Sequence, residues 1–73
     1  MVDDIVTLLE RLAELNKHGS LKEDEYTRAK RGLYKEKEGL VTRLEKLAEL
    51  NKHGSLSEDE FTMAKWELLK KYY

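Results

Sequence analysis

The chain is 73 residues long, with 14 basic and 15 acidic side chains, no cysteine, and 40% of its residues charged. That balance removes any general pull toward nucleic acid or an anionic membrane. No apolar run nears the ~18 residues of a bilayer-spanning helix, and disulfides are excluded. So short a chain buries only about 60% of its unfolded surface and gains from any partner that covers more.

Apolar spacing predicts four helices, over 3–18, 22–37, 40–53 and 57–72. In the first, Ile5, Leu9, Leu12 and Leu15 recur at helical intervals and Leu8 widens the stripe. It closes on Lys17-His18-Gly19, where Gly suits a left-handed helix end and the positive charge suits the dipole. The second opens with Ser20 and Glu23 at capping-box spacing, followed by the acidic run Glu23–Glu25. Tyr26, Ala29 and Leu33 form its stripe. The third carries Leu40, Leu44, Leu47 and Leu50 and closes on Lys52-His53-Gly54. The fourth has two capping-box candidates, Ser55 with Glu58 and Ser57 with Glu60, then Phe61, Ala64 and Leu68. Gly39 leaves the middle open: it ends the second helix, or a single helix runs through it at a cost of ~1 kcal/mol.

The halves are a tandem duplication with an offset of 35 residues. LAELNKHGSL stands unchanged at Leu12–Leu21 and Leu47–Leu56. Repeats of this length are helix-turn-helix units that need a neighbour to bury their apolar faces. The fold expected is all-α, with one hairpin over 1–38 and another over 39–73, forming a compact bundle or splayed by a continuous central helix.

The string LEKLAELNKHGSLSEDEFTMAKWELL resembles the SHOCT family of short C-terminal domains. The likeness runs through Leu44, Leu47, Leu50, Gly54, Leu56, Ser57, Glu58, Glu60, Phe61, Lys65, Leu68 and Leu69. The first unit follows it at Leu9, Leu12, Leu15, Gly19, Leu21, Glu23, Glu25, Tyr26, Lys30 and Leu33. It departs at Lys22, Gly32 and Tyr34, which points to a weaker second helix in that unit. The resemblance implies a bacterial, non-catalytic module that mediates oligomerisation or protein contacts. The family's usual setting is one copy appended to a larger protein, so a tandem pair fits a small bacterial or phage protein, a fragment or an engineered duplication, and the unchanged decamer fits a recent or an engineered duplication.

Differences between the units mark candidate surfaces. Arg28 becomes Met63, Arg31 becomes Trp66 and Leu8 becomes Arg43. Two readings follow. In one, the first and last helices pack together and bury the extra apolar strips. In the other, Leu8, Met63, Trp66 and Tyr73 form a surface for self-association as a homodimer or for another bacterial protein, since Trp and Met suit interface cores. A competing class is a small nucleic-acid-binding protein using Arg28, Lys30, Arg31, Lys35 and Lys37, with aromatics interleaved for stacking.

Chemistry finds little footing. His18 and His53 sit at equivalent turns without cysteine, where a zinc site wants four ligands. The acidic runs lack the alternating oxygens of a calcium loop, and no phosphate-binding or nucleophile motif is present. No enzyme activity, metal or cofactor is expected. The acidic opening MVDDIV does not fit a signal peptide, so a cytoplasmic location is expected.

Overall fold

A computed structural model describes residues 4–36 and 38–72. Four helices follow one another: α1 (Ile5–Lys17), α2 (Glu23–Glu36), α3 (Glu38–Lys52) and α4 (Glu58–Leu69). Among the described residues there is no strand, and no helix is long and apolar enough to cross a membrane. One helix over 23–52 would be about 45 Å long at 1.5 Å per residue, and the longest dimension of the fold is 31 Å. The chain therefore turns between α2 and α3. Gly39 lies inside α3 and ends neither helix.

The repeated decamer is one hydrogen-bonded unit. Gly19 and Gly54 both adopt φ +85°. The Ser20 N–H donates to the Leu15 carbonyl at 2.9 Å and the Gly19 N–H to the Asn16 carbonyl at 3.1 Å; Ser55 and Gly54 repeat both bonds with Leu50 and Asn51. This is the Schellman closure, which satisfies carbonyls left open at a helix end. The Asn16 side chain then donates to the Leu21 carbonyl, as Asn51 does to Leu56. The serines at 20 and 55, predicted to start helices, thus finish the preceding ones.

The helix starts differ. Ser57 and Glu60 form a complete capping box for α4. At α2, Lys22 stands where Ser57 does, so only half the box survives: Glu25 accepts from the Lys22 N–H at 2.8 Å.

Hairpin α1–α2 and hairpin α3–α4 stack in the same orientation. Arg11 of α1 faces Glu45 of α3, and the C-terminal turn of α1 lies beside that of α3, with Leu15 and His18 near Ala48 and Lys52. In the other layer, Glu25 of α2 meets Lys65 of α4, and Gly32 meets Tyr72. Residue numbers rise together in both layers, so equivalent helices run parallel. The first and last helices do not pack together. They lie on opposite sides of α2 and α3, with no backbone approach among the described residues.

Each hairpin contributes a different face to the shared core. Hairpin 1 supplies Leu8, Leu12, Ala29 and Leu33, while hairpin 2 supplies Leu40, Val41, Leu44, Leu69 and Tyr72. Each fully buried leucine contributes roughly 1.5–3 kcal/mol. Gly32 permits a close approach: a Cβ there would stand 2.6 Å from both the Tyr72 ring and Leu40. The stripe on α4 is accordingly Phe61, Lys65 and Leu69, continued by Tyr72. The predicted Ala64 and Leu68 are only half-buried.

Candidate interaction surfaces at the two ends of the stack

Because the hairpins stack in parallel, each repeat position meets two environments. Hairpin 1 turns Leu8, Leu12, Ala29, Gly32 and Leu33 toward hairpin 2, and all five are buried. Their equivalents Arg43, Leu47, Ala64, Glu67 and Leu68 line an open groove of about 410 Å³ between α3 and α4. Its floor is Leu47, Ala64 and Leu68. Of the charged residues that line it, Glu67 pairs with Lys70 at 3.1 Å and Arg43 with Glu36 at 3.7 Å, while Lys46 is exposed at its edge.

The opposite face behaves conversely. Hairpin 2 buries Leu40, Val41, Leu44 and Leu69 against hairpin 1. Their equivalents are Ile5, Val6, Leu9 and Tyr34, of which Val6 is 59% and Tyr34 66% exposed. The large hydrophobic residues exposed among the described residues are Ile5, Val6, Tyr34, Leu50 and Met63. The first three lie on the outer face of hairpin 1. Leu50 and Met63 occupy, on the outer face of hairpin 2, the places that Leu15 and Arg28 hold at the hairpin interface.

The predicted interaction residues separate. Leu8 is 1% exposed and belongs to the core, so it is not available to a partner. Trp66 is half-buried against that core, with the Arg28 guanidinium 4.8 Å from its ring centroid. Met63 is 69% exposed. Tyr73 lies outside the described residues. The sequence pattern puts Ile5 in the apolar stripe of the first helix and Tyr34 among the aromatics of the basic run, and it does not single out Val6. A signal for their exposure is present: Tyr34 stands where the second unit has a leucine, in a repeat whose equivalent faces cannot both be covered by one neighbour.

The basic run is also divided. Arg28 is drawn to Trp66 and donates to the Tyr72 carbonyl at 3.5 Å. Lys30 lies over the Tyr26 ring at 4.4 Å. Arg31 and Lys35 are exposed. Lys37 lies outside the described residues.

Besides Arg11 and Glu45, polar contacts join the hairpins at both ends of the second layer. Lys65 donates to Glu25 at 2.8 Å and to the Ser20 carbonyl at 2.9 Å, bridging α4 to the first turn. Both side chains of this ion pair are buried, where partners must be satisfied to offset desolvation. At the other end Glu36 accepts from the Tyr72 hydroxyl and pairs with Lys71 at 2.6 Å. The Lys71 hydrogen bond, aided by Tyr72, holds the Glu36 carboxyl below its ordinary value. Burial, then Glu36, pushes the Tyr72 hydroxyl up. His18 and His53 each pair with the glutamate four residues earlier at 3.0 Å. Among the described residues, no three His, Asp or Glu side chains gather as a metal site would require.

No family model, curated protein or solved structure matches the chain.

Proposed function

We propose that this chain is a non-enzymatic interaction module of two SHOCT-like hairpins, associating with itself or another protein through the ends of its stack. The observation that carries this reading is the placement of Ile5, Val6 and Tyr34 at one end and Leu50 and Met63 at the other. Apolar surface gathered in this way favours a partner that removes it from water. Sedimentation equilibrium over a wide concentration range tests self-association. A mass rising above the 8.6 kDa of one chain supports it. A constant 8.6 kDa at the highest soluble concentration removes it and leaves a foreign protein as the partner.

Nucleic acid is the second reading. It is favoured by exposed Tyr34 lying between Arg31 and Lys35 on α2, a pairing of aromatic and cations that suits stacking on a single strand. A mobility shift with single-stranded nucleic acid at low salt, weakened as salt rises, supports it. No shift at low salt removes it.

A further inference from the structure

The geometry points to head-to-tail stacking of whole chains, with the outer face of hairpin 1 of one copy seated in the α3–α4 groove of the next. This inference rests on the self-association reading and specifies its surfaces. The contact would repeat between copies what hairpin 2 already makes with hairpin 1 inside the chain.

Three observations favour a second copy as the occupant. First, the groove floor keeps the residue types that are filled internally: Leu47 for Leu12, Ala64 for Ala29 and Leu68 for Leu33. Second, the same molecule carries the matching insert on its other end, with Ile5, Val6 and Leu9 standing for Leu40, Val41 and Leu44. Third, the charges agree. Shifting the internal pair Arg11–Glu45 by one repeat gives Lys46 opposite Glu10 of the next copy. Shifting the buried pair Glu25–Lys65 gives Glu60 opposite Lys30 of the next copy. Each swap preserves the sign on both sides. Glu10, Lys46 and Glu60 are exposed and form no ion pair with another described residue; Glu60 accepts from the Ser57 N–H, as Glu25 does from Lys22.

The junction between copies differs on both sides, and on the insert Tyr34 stands for Leu69 and Lys37 for Tyr72. Arg43 replaces Leu8 and Glu67 replaces Gly32, so the groove is shallower and its rim is charged. The junction is therefore weaker than the internal one, and assembly is reversible and concentration-dependent. The contact is heterologous, because the two surfaces differ, so it builds rings or open stacks instead of closing at a dimer.

Two variants give the decisive experiment. Val6→Glu spoils the insert and Ala64→Glu fills the groove floor; neither removes a buried core side chain. Circular dichroism and thermal unfolding establish that each is folded. Sedimentation equilibrium is then run on the wild type, on each variant and on their equimolar mixture. Head-to-tail stacking requires the wild type to grow beyond a dimer, each variant to stay a monomer, and the mixture to form a one-to-one dimer through its remaining intact insert and groove. If the wild type associates and either variant alone does so equally, or the mixture stays monomeric, this inference falls while self-association stands. A wild-type monomer removes both. Should a variant fail to fold, Glu10→Lys and Lys46→Glu replace the pair. Each alone then weakens association several-fold at low salt and their mixture restores it; no such restoration overturns the assigned register.

Discussion

Gly32 looks like a defect when read as sequence, a helix-weakening residue in mid-helix where the other unit has glutamate. In the fold, the Tyr72 ring and Leu40 approach so closely that a Cβ has no room. Gly32→Ala therefore sets a gain of about 1 kcal/mol in helix propensity against overpacking worth about 1–3 kcal/mol. Because the Tyr72 hydroxyl is tied to Glu36, the ring has little freedom to swing away. Net destabilisation of about 1 kcal/mol is expected by urea unfolding. Gly39→Ala is the control, since nothing stands within 4 Å of its added Cβ. It should stabilise the chain by about 0.4–1 kcal/mol by restricting the unfolded state. The same corner sets an acid limit. Glu36 titrates below its ordinary value of 4.5 when folded. The stability it contributes is therefore fully present above that value and lost as pH falls through the lowered one. Glu36→Gln should flatten the fall of melting temperature on the acid side while leaving the slope near neutral pH unchanged.

At the scale of elements, the four helices and both Gly turns were legible in the sequence because their signals are local: apolar spacing, a positive-φ glycine, a basic last turn. Helix starts were less legible. Ser20, Ser55 and Ser57 all offer capping-box spacing, and only hydrogen bonding to Leu15 and Leu50 shows that the first two close helices instead. The contrast between Ser57 and Lys22 yields a test. Lys22→Ser supplies the missing hydroxyl acceptor at the start of α2, opposite the Glu25 that already completes the other half of the box. A stabilisation of about 1 kcal/mol is expected by thermal or urea unfolding. An unchanged stability would mean that the α2 start is already satisfied by other groups.

At the scale of the whole molecule, sequence reasoning reached two hairpins and missed how they face each other. Periodicity marks which residues of a helix are apolar. It cannot say which neighbour covers them when both units carry the same stripe. The pattern therefore puts Ala64 and Leu68 in the core beside Ala29 and Leu33, and leaves Leu8 open between a contact with the last helix and a surface. Parallel stacking decides otherwise, burying one copy of each face and leaving the other open. The unchanged decamer turns this asymmetry into a measurement. Its two copies share covalent sequence and internal hydrogen bonds, so differences between their amide chemical shifts report what each turn touches outside itself. In a proton–nitrogen correlation spectrum, the signals of Asn16 and Asn51, and of His18 and His53, should nearly coincide. Those of Leu21 and Leu56 should diverge, because the Lys65 ammonium bonds the Ser20 carbonyl and Leu21 is buried. If a second copy seats its own lysine at the later turn, raising the concentration should draw the Leu56 signal toward that of Leu21. A Leu56 signal that never moves would mean that no such lysine arrives.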